Sequence, residues 1–151
     1  MSPKDWGPPV WALFHTMAEK IKEEHYSSTY TQLFSWIKQI CRDLPCPDCA
    51  NHATQFLNKV NLKTITTKNE LRMMLFVFHN SVNRRKGLPI YESKDLVIYQ
   101  KFRLPEVFRV FALTYNAKTG NLKLMSDSLT RRQTITNLSS WFKQNIELFD
   151  M

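Results

Sequence analysis

Apolar residues recur every three or four positions through most of the N-terminal half of the chain, a spacing that predicts amphipathic helices. The first predicted helix begins at Pro8, because proline suits a first helical turn, and it ends around His25. The second follows Ser27-Ser28-Thr29 and stops before Pro45, since the residue preceding a proline is disfavoured in a helix. Its apolar face is the longest in the chain: Tyr30, Leu33, Phe34, Ile37, Ile40, Cys41 and Leu44.

Two further helices have clearer boundary signals. The third begins at Cys46-Pro47 and runs toward Val60, with the proline in its first turn. The fourth begins with a capping box between Thr67 and Glu70 and ends at Gly87, which suits a left-handed helix end. Four helices of this length joined by short links predict a four-helix bundle.

The pattern changes beyond Pro89. Residues 108–115 and 122–125 have the composition of two strands, and residues 116–121 between them contain a glycine that favours a turn. Residues 128–149 return to a helical period of apolar side chains. We therefore expect this region to form a β-hairpin followed by a final helix.

Length and composition fit one helical core with an extension. A chain of 151 residues is long enough to bury one core and too short for two ordinary domains. Hydrophobic residues make up 43% and only three residues are glycine, which argues against disorder and against a turn-rich β fold. We expect a mainly α fold in which residues 1–100 form the bundle and residues 101–151 form the extension.

Charge and hydropathy narrow the range of partners. Lysine and arginine exceed the acidic residues by 21 to 13, a formal net charge of +8, but the basic residues are dispersed and do not favour nucleic acid binding. The longest apolar run, residues 73–78, is too short to cross a bilayer, and the N-terminus lacks the features of a signal peptide. We expect a cytoplasmic protein with no membrane partner.

The most informative motif is Cys46-Pro47-Asp48-Cys49, which places two thiols within one helical turn. This spacing allows a reversible disulfide, and a cysteine at a helix start gains thiolate character from the backbone N–H groups and the helix dipole. A thioredoxin-like context would require a βαβ unit, which the helical surroundings exclude.

Two chemistries remain open for these cysteines. Cys41, Cys46, Cys49 and His52 have the number and kind of side chains of a zinc site, which would make the chain a non-enzymatic zinc- or nucleic-acid-binding module. Cys41 lies on the apolar face of the second helix, however, where a buried core thiol is the more common role. The other chemistry, oxidation coupled to a flavin, requires a flavin site elsewhere in the chain.

Two pairs of side chains at helical spacing offer such a site. Trp11 and His15 share one face of the first helix, and His79 and Asn83 share one face of the fourth. Buried imidazole and amide groups need hydrogen-bond partners, which a heteroaromatic ligand between the two helices would provide. The basic residues 84–86 follow one turn later, in a place to neutralise a diphosphate.

Taken in order along the chain, three elements resemble the signature of the Erv/ALR family of FAD-dependent sulfhydryl oxidases. They are Gly7 with Trp11 and His15, then Cys46 with Cys49, then His79-Asn80-Ser81-Val82-Asn83-Arg84. The resemblance covers roughly residues 5–91. It implies a four-helix bundle with a short fifth helical segment, FAD as the cofactor and no resident metal ion.

The resemblance also implies which residues form the site. Cys46 and Cys49 would be catalytic, with Cys49 against the flavin ring. The cofactor-binding residues would be Gly7, Trp11, His15, Cys49, His79, Asn80, Val82, Asn83, Arg85, Lys86, Tyr91 and Tyr99. Leu88 departs from the lysine usual in the family, so Arg85 or Lys86 would supply the phosphate charge, and Tyr99 would replace a tryptophan near the adenine.

The implied reaction forms disulfides in protein substrates. A substrate dithiol attacks Cys46, electrons pass from Cys49 to FAD, and oxygen accepts them to give hydrogen peroxide. Compact viral members of the family similarly lack a second, shuttle CxxC pair, so the resemblance implies a separate thioredoxin-like protein as electron donor. It further implies a homodimer and, for a viral enzyme, action in the host cytoplasm.

Overall fold

Helices form most of the computed structural model, which describes residues 2–116 and 122–151 and, within 122–125, the backbone alone. In chain order the α-helices are α1 (Pro3–Lys20), α2 (Glu23–Arg42), α3 (Pro47–Asn58), α4 (Lys68–Lys86), α5 (Leu104–Tyr115) and α6 (Leu122–Asn145). Three 3-10 segments, Leu62–Thr64, Ser93–Lys101 and Ile146–Leu148, lie between or after them. The mainly α fold is confirmed.

The first helix begins earlier than the sequence predicts. α1 begins at Pro3, because a capping box between Ser2 and Asp5 provides its start: the Ser2 backbone N–H donates to the Asp5 carboxylate at 2.8 Å. Pro8 and Pro9 therefore lie inside the helix, where their missing N–H groups leave the carbonyls of Lys4 and Asp5 without helical donors, at residues that are exposed to water.

The boundary between α1 and α2 also differs from the prediction of a helix ending at His25. α1 ends at Lys20 and α2 begins at Glu23, which places two acidic residues, Glu23 and Glu24, at the positive end of the helix dipole. The C-terminal segment fixes the break, since the Lys22 N–H donates to the Leu148 carbonyl at 2.9 Å. This contact joins residues far apart in sequence, so local pattern gave no sign of it.

The predicted starts of α3 and α4 are confirmed. Cys46 is the residue that caps α3 and Pro47 is its first helical residue. At the start of α4 the Thr67 hydroxyl accepts the Glu70 N–H at 3.1 Å, and the Glu70 carboxylate accepts the Thr67 N–H at 3.0 Å. Gly87 ends the helix with a φ of 71°, a left-handed conformation that favours glycine.

Replacing the capping hydroxyl of Thr67 should measurably destabilise α4. We expect Thr67→Ala to lower the free energy of unfolding by about 1 kcal/mol, because the Glu70 N–H loses its acceptor. Urea titration followed by circular dichroism measures the change. Thr67→Ser keeps the oxygen and is the matched control, so an equal loss in both variants would show that the cap does not act through this hydrogen bond.

The predicted β-hairpin is wrong. Residues 108–115 lie in helix α5 and residues 122–125 lie in helix α6, while the predicted turn falls mostly outside the described residues. Pro105 in the first turn and an apolar face at Phe111 and Tyr115 favour helix α5. Burial of that face outweighs the β propensity of its valine and aromatic residues.

The extension shares the core of the bundle. α5 packs along α1, and α6 packs on α2, which also contacts α3. Phe111 and Tyr115 of α5 and Leu138 of α6 are fully buried in one cluster with residues of α1 and α2. The helices that follow residue 103 therefore cover surfaces of α1 and α2 that would otherwise be apolar and exposed.

Candidate functional site

Cys46 and Cys49 form a disulfide at the start of α3. Both side chains are half-buried, whereas Pro47 and Asp48 between them are exposed, so the disulfide lies at the protein surface. The Cys49 backbone N–H donates to the Cys46 sulfur at 3.2 Å. When the disulfide is reduced, this hydrogen bond and the helix dipole stabilise a thiolate at Cys46.

Cys49, but not Cys46, lines a cleft between α1, the end of α2, α3 and α4. The cleft has a volume of about 50 Å³ and mostly apolar walls. Six of the residues predicted from the sequence to bind a cofactor line it: Gly7, Trp11, Cys49, Val82, Arg85 and Lys86. Of the two cysteines of the pair, only Cys49 therefore contributes to the wall of the cleft.

An aromatic cluster lies beside this cleft. The indole of Trp11 stacks on the imidazole of His79, with ring centroids 4.1 Å apart and planes 7° from parallel. Tyr99 stacks on His15 at 4.6 Å, and Tyr91 lies 4.8 Å from His79. The structure thus brings together all five aromatic and histidine side chains that the sequence proposed for the site.

A second, smaller cavity of about 10 Å³ adjoins the cluster. His15, His79, Tyr91 and Tyr99 contribute to its walls. Because Trp11 lines the cleft and its stacking partner His79 lines the cavity, the Trp11–His79 pair lies between the two spaces.

The two histidines are hydrogen-bonded to each other and neutral. Nε2 of His15 lies 2.9 Å from Nδ1 of His79, so one ring donates and the other accepts. Burial, with a smaller contribution from His79, lowers the pKa of His15 to about 3, and burial lowers the pKa of His79 to about 4. Each ring has a second nitrogen with no partner among the described residues, and one of those two carries a proton for a ligand acceptor.

Asn80 and Asn83 hold the chain after α4. The Asn80 side chain pairs with the backbone of Tyr91, donating to its carbonyl and accepting its N–H, both at 2.9 Å. The Asn83 amide donates to the Pro89 carbonyl at 3.0 Å. In this structure the two asparagines fix the loop that carries Tyr91, so their amides act on the site through that loop.

Arg85 and Lys86 place positive charge on the wall of the cleft, at the end of α4. Both are exposed overall, and partial burial followed by the charge of Arg85 lowers the pKa of Lys86. Two cations beside an apolar cleft favour a ligand that combines an aromatic ring with phosphate groups.

The geometry does not support the zinc alternative. The sulfurs of Cys46 and Cys49 are bonded to each other, Cys41 is buried at 2% exposure, and His52 is exposed. Across residues 2–116 and 122–151, no three His, Cys, Asp or Glu side chains converge as metal ligands would.

Two buried residues near the site were not predicted from the sequence. Tyr115 and Arg131 donate hydrogen bonds to backbone carbonyls at the end of α2, just before the cysteine motif. Tyr115 was assigned to a strand, which hid its helical register. The burial of Arg131 could have been predicted, because Arg131 lies on the same helical face as the apolar residues Ile135 and Leu138.

Among the described residues, none of the helices is both long enough and apolar enough to cross a membrane.

Comparison with known proteins gives a family for the chain. The model of the Erv1 / Alr family matches residues 8–103. A protein of Invertebrate iridescent virus 3, provisionally named FAD-linked sulfhydryl oxidase 096R, is 27% identical over 106 residues, which cover 70% of each chain. No solved structure matches significantly.

Two further relatives have the same kind of name. An FAD-linked sulfhydryl oxidase of African swine fever virus is 31% identical over 80 residues, covering 53% of this chain and 66% of that protein. An FAD-linked sulfhydryl oxidase of Oryza sativa subsp. japonica is 30% identical over 91 residues, covering 60% and 46%. The family model spans most of the chain and includes the cysteine pair and the hydrogen-bonded histidines His15 and His79. This protein therefore belongs to the Erv1/Alr family.

Proposed function

We propose that this chain is an FAD-linked sulfhydryl oxidase that forms disulfides in thiol-bearing proteins. One observation carries the proposal: the Cys46–Cys49 disulfide lies at the surface, while Cys49 also lines a cleft next to a cluster of stacked aromatic rings. A disulfide arranged in this way can accept electrons from a thiol at the protein surface and pass them to a ligand in the cleft. The viral and plant relatives are named for the same activity and the same cofactor, which supports the proposal.

The residues present suit FAD. Trp11, His15 and Tyr99 offer ring faces for stacking, the histidine pair offers an imidazole N–H, and Arg85 with Lys86 offers positive charge for the phosphates. The cleft of about 50 Å³ is smaller than an ordinary ligand pocket, which measures about 300–1,000 Å³. Binding of FAD therefore requires the cleft to widen.

The remaining predicted residues are proposed to act from the wall of the site. Gly7 and Val82 line the cleft, and open space surrounds the position of a Gly7 side chain, which leaves room for a ligand. Asn80 and Asn83 are proposed to support the site by holding Tyr91 in place.

The cysteine pair carries the thiol chemistry. A substrate thiolate attacks the Cys46 sulfur, the Cys46–Cys49 bond breaks, and Cys49 leaves as a thiolate on the cleft side. A second substrate thiolate then attacks the substrate sulfur of the mixed disulfide. The substrate disulfide forms and Cys46 leaves as a thiolate, stabilised by the Cys49 N–H at 3.2 Å. FAD, when bound, accepts the two electrons of the reduced pair and passes them to oxygen.

The direct electron donor is proposed to be a separate thioredoxin-like protein. Cys41, the third cysteine of the chain, is buried and does not form a second surface pair that could act as a shuttle. A homodimer is also proposed, for which Leu88, Ile90, Val97 and Ile98 offer exposed apolar surface. Action in the cytoplasm stays a prediction from the sequence.

Purified protein tests the proposal directly. We expect a yellow protein that releases FAD on denaturation and consumes oxygen when a small dithiol is added, with peroxide as the product. Colourless protein that fails to bind added FAD, or flavin-loaded protein that leaves the dithiol reduced, would contradict the proposal. Ultracentrifugation at several concentrations tests the dimer independently of the reaction.

A further inference from the structure

The end of α2 is held by two residues from beyond the region that the family model matches. α2 ends at Arg42, so its last carbonyl groups have no N–H partner within the helix. The Tyr115 hydroxyl of α5 donates to the Ile40 carbonyl at 2.8 Å, and Nη1 of Arg131 in α6 donates to the Asp43 carbonyl at 3.0 Å. The matched region ends at residue 103, before both donors.

Arg131 is an unusual residue to bury. Its side chain is 1% exposed, and its Nε has no hydrogen-bond partner in the described structure. Oδ2 of Asp43 is buried and likewise lacks a hydrogen bond, although it lies 3.6 Å from Nε of Arg42. A buried, incompletely paired charge costs stability, and an apolar residue of similar volume would avoid that cost. The burial of Arg131 therefore calls for a role other than stability.

Tyr115 is buried in the same place. Its side chain is fully buried, and burial raises the pKa of its phenol, so the hydroxyl remains protonated and donates at any ordinary pH. The two donors act on the same short stretch of backbone from two different helices. Residues 40–43 are thus held by one hydrogen bond from α5 and one from α6.

That stretch leads directly into the redox motif. Asp43 stands three residues before Cys46, and only Leu44 and Pro45 lie between them. Cys41 and Leu44 line the same cleft as Cys49. The backbone that Tyr115 and Arg131 hold is therefore both one wall of the cleft and the chain that leads to the outer cysteine.

We propose that Arg131 and Tyr115 are positioning residues for the Cys46–Cys49 pair, and that one role of the C-terminal helices is to fix the segment before Cys46. The inference rests on the proposed redox role of the two cysteines. Arg131 and Tyr115 act through the carbonyls of Asp43 and Ile40, and neither touches the sulfurs in the structure. A fixed segment keeps the Cys46 thiol close to Cys49, which raises the effective concentration of one thiol toward the other.

The test compares disulfide formation in full-length protein stripped of flavin. Each variant is equilibrated with mixtures of reduced and oxidised glutathione, and the fraction of Cys46–Cys49 disulfide is read by alkylation and mass spectrometry. The variants are Arg131→Met, Arg131→Lys and Tyr115→Phe. Arg132→Met is the matched control, because Arg132 is the exposed neighbour on the same helix.

We expect Arg131→Met to lower the equilibrium constant for disulfide formation about tenfold, which corresponds to about 30 mV for a two-electron couple. Tyr115→Phe should lower it about threefold, since the hydrogen bond of a neutral hydroxyl is weaker than that of the charged Arg131. Arg131→Lys should recover part of the loss because it keeps a charged donor. Arg132→Met should match the wild type.

Thermal unfolding of the same samples separates positioning from simple stabilisation. If Arg131→Met and Tyr115→Phe leave the equilibrium constant within about twofold of the wild type, the proposal is overturned whatever their unfolding temperatures, and a change in unfolding temperature alone makes the two residues structural only. The measurement needs no flavin and no turnover. Failure of the wild type to oxidise thiols would therefore count against the proposed function and not against this inference.

Discussion

Cys49→Ser protein should bind FAD and fail to turn over. We expect oxygen consumption with a dithiol to fall by at least about a thousandfold, because Cys49 is the sulfur of the pair that lines the cleft and Cys46 alone cannot form the disulfide that accepts electrons. The yellow colour should remain, since serine occupies nearly the same space. Oxygen-electrode assays on flavin-loaded protein, normalised to the flavin absorbance, measure the effect.

Two further variants make the result specific. Cys46→Ser should lose turnover of protein substrates as completely, because the substrate attacks that sulfur. Asn51→Ala, an exposed change on the same helix, should behave as the wild type. Turnover in Cys49→Ser at a rate near that of the wild type would remove the cysteine pair from the reaction and with it the proposed function.

The folded protein should lose stability between pH 6.5 and pH 4. The pKa of His15 falls to about 3 and that of His79 to about 4 from an ordinary value of 6.5, so the unfolded chain binds these protons first as the pH falls. The stabilisation is fully present above pH 6.5 and is lost on acidification. Each histidine contributes a slope of about 1.4 kcal/mol per pH unit, which gives about 2–4 kcal/mol for the pair between pH 6.5 and pH 5.

Urea titrations at several pH values test this dependence. The double variant His15→Gln, His79→Gln removes both groups and should show a much flatter profile over this range. His52→Gln is the control, because His52 is exposed and should leave the profile of the wild type intact. An equally steep loss in the double variant would assign the pH dependence to other groups, and the pair would not be held neutral by folding.

Features governed by short-range chemistry could be predicted from the sequence. The start of α3 follows from Pro47 after a capping residue, and both ends of α4 follow from Thr67, Glu70 and Gly87, each of which acts within one helical turn. The grouping of Trp11 with His79 across two helices was also predictable, because each belongs to a motif whose spacing places it on an inner face.

Features governed by contacts between residues far apart in the sequence could not be predicted in this way. The sequence of α5 favours strand and helix almost equally, and packing along α1 decides between them. The hydrogen bonds of Asn80 and Asn83 go to the loop at Pro89 and Tyr91, although the motif alone suggested direct contact with a ligand. Arg131 meets Asp43 only after α2 and α6 have packed together, which no local pattern encodes.

The pairing of the C-terminal segment with the junction between α1 and α2 has a consequence for biosynthesis. The Asp150 N–H donates to the Lys20 carbonyl at 2.6 Å, and Ile21 and Phe149 form an antiparallel bridge. A nascent chain cannot form this pairing until residues 149 and 150 have left the ribosome, long after both cysteines have emerged. Cys46 and Cys49 are therefore exposed to cellular thiols before the fold closes, so the first disulfide they form can be made by exchange with another protein.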